Sequence, residues 1–145
     1  MKCTTVIDKN IEEEVVIYLH EKREIANKIE QIAIGEDAEL IGYSDKSIIR
    51  LSPCDIFCVT VEDGRAYALT ESEKLQIRQR LYLAEELLGA AFVKINQSCI
   101  VNVEKIERFD VSIGGSLLVI LKNGYKDYVS RRQVKAVKER IGFKL

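Results

Sequence analysis

The sequence predicts an α+β fold dominated by antiparallel strands, and three observations carry that prediction. Short β-type runs recur at close intervals, among them Ile56–Val61, Leu117–Leu121 and Tyr125–Val129, as they do in a meander of strands. The dipeptides Asp63-Gly64 and Asn123-Gly124 fall between such runs and supply the positive φ that tight hairpins need. Helical periodicity is confined to three stretches, one in each third of the chain. At 145 residues the chain is one ordinary domain, or a compact domain with a small appendage.

The first segment, Lys2–Ile7, alternates weakly and reads as a strand, with Asp8-Lys9-Asn10 as a turn. After Glu12-Glu13-Glu14, the β-branched cluster Val15–Leu19 reads as a second strand. Ile25, Ile29, Ile32 and Ala33 then recur at spacings of three and four up to Gly35, which makes a helix. A single helix from Ile11 to Ile34 is the competing reading of the same residues. Residues 1–43 are therefore expected to form a β-β-α appendage, with residues 44–145 as the main domain.

Glu39–Tyr43 and Ser47–Leu51 flank Ser44-Asp45-Lys46 as a hairpin, and the lone proline, Pro53, introduces the strand Ile56–Val61. Arg65–Thr70 returns as its partner after the Asp-Gly turn. Thr70 and Ser72 are both N-cap residue types, so a helix is expected from there to Gly89. Its apolar residues would be Leu75, Leu81, Leu83, Leu87 and Leu88, with Arg78, Arg80, Glu85 and Glu86 on its polar side. No heptad repeat is sustained, so these leucines are core residues and not a zipper.

The last third carries the most informative chemistry. Phe92–Ile95, Ser98–Asn102, Ile106–Ile113, Leu117–Leu121 and Tyr125–Val129 read as strands, with turns at Gly114-Gly115 and Asn123-Gly124. Ser130 caps a closing helix whose apolar face is Val134, Val137 and Ile141. Two polar clusters, Lys94-Ile95-Asn96-Gln97-Ser98 and Ser130-Arg131-Arg132-Gln133, hold side chains that bond phosphates and base edges. Asn102 is read first as a turn residue that bonds backbone, and Ser130 first as a cap.

Charge is divided along the chain. Residues 1–88 hold 11 Lys and Arg against 18 Asp and Glu, a net of -7, while residues 89–145 hold 11 against 5, a net of +6. A basic portion of this kind suits an anionic partner, although basic strands facing solvent or the acidic half would give the same pattern.

From Ile56 to about Ile141 the sequence resembles the LytTR type of DNA-binding domain of bacterial transcription regulators. The residues that carry the resemblance are Phe92 to Asn102, Ile106, Leu121-Lys122-Asn123-Gly124 and Val129-Ser130-Arg131-Arg132. The resemblance implies a small antiparallel β domain with two helices that reads successive major grooves with loops. It also implies a homodimer on double-stranded DNA, with a regulatory membrane protein as a further partner of some compact relatives. Carried over residue by residue, Asn96, Gln97 and Arg132 are the candidate base contacts. Asn and Gln suit adenine, and Arg suits guanine. Lys94, Ser98, Lys105, Lys122, Lys126 and Arg131 are the candidate phosphate contacts. Two departures stand out: Lys94 and Asn96 occupy positions where the family often has arginine and histidine, and the first hairpin tip, Glu62-Asp63-Gly64, is acidic.

Other chemistries find little support. The single histidine, His20, has no cysteine near it in sequence, and no Walker loop or dinucleotide fingerprint is present. The expectation is accordingly no enzyme, no cofactor, no metal and no lipid. Four cysteines fit the reduced thiols of a cytoplasmic protein, with Cys54 and Cys58 on one face if their segment is extended. The reading is a sequence-specific DNA-binding transcription regulator, with a protein-interaction or ligand-sensing module of the same fold as the alternative.

Overall fold

The computed structural model of the protein describes residues 1–37 and 40–144. The chain forms α1 (Glu24–Asp37), β1 (Leu40–Tyr43), β2 (Ile48–Leu51), β3 (Cys58–Glu62), β4 (Arg65–Leu69) and β5 (Lys74–Ile77). It continues through α2 (Leu81–Leu88), β6 (Phe92–Asn96), β7 (Cys99–Asn102), β8 (Ile106–Val111), β9 (Leu117–Leu121), β10 (Lys126–Val129) and α3 (Arg131–Ile141). All strand pairings are antiparallel, in a seven-stranded sheet of order β2-β1-β5-β4-β3-β7-β6 and a three-stranded sheet of order β10-β9-β8. This is the α+β, mostly antiparallel class that the turn dipeptides foretold.

Alternation along the large sheet makes two cores. Ala66, Ala68, Leu75 and Ile77 point to one face, where Ala84 and Leu88 of α2 complete a buried cluster with Ile56 and Phe92. Cys58, Cys99 and Val101 point to the other face, where Leu117, Val119 and Leu121 of the small sheet cover them together with Val137 of α3. The result is three layers, with the large sheet in the middle. Gly42 is needed at its place in β1, because a Cβ there would stand 2.8 Å from the Leu75 Cβ and 2.9 Å from a Leu51 methyl.

Three expectations are corrected. Residues 1–23 contain no strand. Val6, Ile7 and Tyr18 are exposed, and a lone short strand with neither a partner edge nor a covered face has nothing to hold it. Only the turn at Asp8 forms, through a 2.9 Å bond from the Asn10 N–H to Asp8 Oδ1. The competing single helix from Ile11 is not formed either, since α1 begins at Glu24 and runs two residues past Gly35. Glu39, the expected start of the next strand, lies outside the described residues. The dividing line expected between residues 43 and 44 runs through the β1–β2 hairpin, where Tyr43 pairs with Ile48, and β1 also pairs with β5.

The second correction concerns residues 72–80, expected as helix. Thr70 instead closes a hairpin turn: its N–H donates to Glu73 O at 2.9 Å, and its Oγ1 accepts from the Glu73 N–H at 3.1 Å. The following Lys74–Ile77 is a strand with Leu75 and Ile77 buried. Period-two burial won over a cap signal, and α2 starts only at Leu81. The third correction is Cys54, which sits exposed in the 3-10 turn Pro53–Asp55 while Cys58 is buried in β3, so the two share no strand face.

Candidate nucleic-acid interface

The two polar clusters singled out in the sequence are neighbours in space. The loop Asn96–Ser98 between β6 and β7 is fastened on one side by the Val61 N–H, which donates to Ser98 O at 2.8 Å. On the other side the Ser130 N–H donates to Ile95 O at 2.8 Å, which brings the start of α3 alongside. Gln97, Ser98, Arg131 and Arg132 are exposed on this end of the molecule, and Lys94 is half-buried beside them on β6.

Asn96 is used differently. Its Nδ2 donates to Tyr128 O at 2.9 Å and to Asp127 Oδ2 at 3.1 Å, while its Oδ1 accepts from the Ser98 N–H at 2.8 Å. Both amide hydrogens are thus spent inside the protein, and the side chain shapes the loop from which Gln97 projects. Behind it, the Tyr125 hydroxyl lies 3.4 Å from Asp127 Oδ2 and 3.3 Å from Thr60 Oγ1. Burial raises the Tyr125 pKa above its ordinary value, so the phenol stays neutral and keeps its proton to donate.

At the head of α3, Ser130 occupies the cap position with extended φ and ψ but makes no side-chain capping bond. Its carbonyl receives the Gln133 and Val134 N–H groups instead. The first turn holds Arg131 and Arg132 and no acidic residue. Cations at the positive end of a helix dipole are unfavourable by about 0.3–1 kcal/mol each. An anion placed there would reverse the sign.

The remaining phosphate candidates lie elsewhere. β7 runs away from Gln97 to Asn102, about 13 Å along the strand, before the 3-10 turn Val103–Lys105. Lys105 is at that far end, with its Nζ 5.0 Å from the centre of the Phe57 ring. The Lys122 N–H donates to Lys105 O at 2.9 Å, and both lysines line a hollow of about 360 Å³ with Asp55 and Glu71. Lys126 is exposed on β10, opposite Ile120. Asn102 also belongs to the far end and is buried, its Nδ2 donating to Ile56 O at 3.0 Å and its Oδ1 accepting from the Glu104 N–H at 3.0 Å.

Sequence reading missed two groups here. Asp127 and Tyr125 had no signal beyond their place in a strand. Arg78 and Arg80 were assigned to a helix face, whereas the extended run after Lys74 brings them to the same end of the sheet as Arg65. Alternation of Leu75 and Ile77 was the signal that could have found them. Among the described residues no group of three or more His, Cys, Asp or Glu could hold a metal, and no helix is long and apolar enough to cross a membrane.

Comparison with known proteins bears on the family and the fold. The sequence model of a family described as the LytTr DNA-binding domain matches residues 46–142. An uncharacterised HTH-type transcriptional regulator of Staphylococcus aureus strain NCTC 8325 is 34% identical over 102 residues, covering 70% of this chain and 69% of that protein. A protein of the same description from strain MRSA252 matches with the same identity and coverage. Among solved structures, the LytTr DNA-binding domain of a Bacillus cereus methyl-accepting/DNA response regulator is similar with a TM-score of 0.68 at 20% identity, covering 73% of this chain and 98% of that one. At that identity the likeness is one of fold.

Proposed function

This chain belongs to the LytTr DNA-binding domain family, and on that premise we propose that it is a cytoplasmic, sequence-specific DNA-binding regulator of transcription. It reads base edges with Gln97 and Arg132 and holds the backbone with Arg131, Lys94 and Ser98. The observation that carries the reading is the uncompensated basic start of α3 beside the exposed Gln97. Two guanidiniums and an amide leave one end of the fold, with no internal partner spending them among the described residues.

Gln97 suits an adenine, through its N6 and N7, and Arg132 suits a guanine, through its O6 and N7, with each pair giving about 1–3 kcal/mol of discrimination. Asn96 acts behind them as the loop's internal brace, because its donors are already engaged. Lys105 and Lys122 stand at the far end and add little to the first contact. Two copies on direct repeats is the form that the family resemblance implies.

Selection from a randomised duplex pool tests the proposal, followed by binding titrations of Gln97→Ala, Arg132→Ala and Arg131→Ala on the enriched duplex and on a random one. The first two variants lose preference for single positions of the enriched site. Arg131→Ala weakens both duplexes alike and flattens the salt dependence. Failure of the folded protein to enrich any sequence, at any salt concentration, refutes it.

A further inference from the structure

We propose that the cleft where β4, β5 and α2 meet is a second phosphate-binding subsite, built from Arg65, Arg78 and Arg80. In the β4–β5 ladder Ala66 pairs with Ile77, so Arg65 and Arg78 are the next residues outward from the same end of the two strands. Arg80 follows two residues later at the N-cap of α2. All three are exposed, and all line one cleft of about 560 Å³ with Gly64, Gln76 and Gln79.

Among the described residues no carboxylate pairs with these three arginines. Like charges on neighbouring strands repel, and an arginine at the head of a helix opposes its dipole. The carboxylate opposite Arg65 in the β3–β4 ladder is that of Glu62, and it is paired with Lys74 instead. The first turn of α2 has no acidic residue, and the Arg80 side chain makes no capping bond. Arg78 is held in place, its guanidinium carbon 4.5 Å from the centre of the Tyr43 ring. Gln79 also lines the cleft, but its unpartnered Oε1 only accepts hydrogen bonds and has none to offer a phosphate, so the subsite rests on the three guanidiniums.

Planar guanidinium forks match the oxygens of a phosphate group. The DNA backbone is the source that the placement favours. The β3–β4 turn carrying Gly64 and Arg65 follows Val61, whose N–H holds the Gln97 loop through Ser98 O, so the cleft flanks the proposed reading loop. That choice of source rests on the proposed function, whereas the phosphate chemistry stands without it.

The experiment measures duplex affinity of the full chain between 50 and 200 mM salt, for wild type, Arg78→Ala/Arg80→Ala and the milder Arg80→Gln. Each lost phosphate contact lowers the salt slope by about 0.9. The loss of affinity over that range should therefore shrink by about tenfold in the double variant and about threefold in Arg80→Gln. Discrimination between enriched and random duplexes should be unchanged. A parallel arm compares melting in inorganic phosphate with melting in chloride of equal ionic strength. Stabilisation by phosphate that is lost in Arg80→Gln, with unaltered salt slopes, supports the subsite with a free phosphate compound as its source. Unaltered slopes together with no phosphate-dependent melting overturn the proposal. If the wild type binds no duplex, the proposed function fails, and the phosphate arm alone decides the cleft.

Discussion

Asp127→Ala separates positioning of the reading loop from stability of the fold. The Asp127 carboxylate accepts from Asn96 Nδ2 at 3.1 Å and from the Tyr125 hydroxyl at 3.4 Å through Oδ2, and from the Tyr128 N–H at 2.8 Å through Oδ1. A hydrogen bond to a charged group contributes about 1.5–3 kcal/mol. Asp127 is only partly buried and one of its bonds is long, so the total cost is about 2 kcal/mol, or about 4–8 °C in melting temperature for a domain of this size. The effect on DNA has a different sign for different sequences. Gln97 loses the brace behind its loop, and discrimination falls by about tenfold. Removal of a negative charge from behind the Gln97 loop leaves affinity for random duplex equal or higher. Asp127→Asn keeps an acceptor for Asn96 and restores most of the discrimination. Fluorescence anisotropy on enriched and random duplexes, with thermal melts of each variant, reads all three effects. Asn102→Ala is the control, because it destabilises the fold from the opposite end. If that control lowers discrimination as much as Asp127→Ala does, the reasoning is refuted and the loss is generic softening.

Asn102→Ala itself should cost about 1–3 kcal/mol, since it strands the Ile56 carbonyl at a buried site and removes the partner of the part-buried Glu104 N–H; urea titration checks this. Gly42→Ala should destabilise by about 1–3 kcal/mol through overpacking against Leu75 and Leu51, and a melting temperature equal to wild type would contradict it. Alkaline pH should destabilise the protein. The Cys58 thiol is held far above its ordinary value of 9.0, first by the neighbouring Cys99 thiol and then by burial, and Tyr125 is raised above 10.0, mainly by burial. Both groups stay protonated in the fold while the unfolded chain ionises, so stability is complete below pH 9 and declines as pH rises through 9 and 10. Urea midpoints at pH 8, 9 and 10 measure the decline, and Tyr125→Phe with Cys58→Ser should flatten it.

Strands with a local turn signal were legible in the sequence, because the Asp63-Gly64 and Asn123-Gly124 dipeptides specify their hairpins without reference to the rest of the chain. β5 was not. Its four residues follow Thr70 and Ser72, which suit a helix start as well as a turn, and only pairing with β4 and β1 decides between them. The N-terminal strands failed for the converse reason: β-branched runs such as Val15–Leu19 have strand propensity, but propensity supplies no partner edge. In the candidate site, Gln97 and Arg132 were legible as polar residues that the apolar pattern leaves unexplained. The role of Asn96 was not, because it depends on Asp127, 31 residues away and on another sheet.

That long-range bond bears on how such a small domain could hold a base-reading side chain steady. A loop of three residues has few contacts of its own, and a bidentate base contact tolerates little displacement. Here the loop is held by backbone bonds from two sides and by one amide braced against the neighbouring strand. The helix bearing Arg132 starts from that same strand, three residues after Tyr128. Gln97 and Arg132 therefore share a support, and movement of β10 carries both. A consequence follows for coupling: substitutions at Asp127 or Tyr125 should alter preference at the Gln97 and Arg132 base positions together. A double-variant cycle between Asp127→Ala and Arg132→Ala should then show an interaction of about 0.5–2 kcal/mol in specific binding. Additive effects would mean that the two readers are held independently.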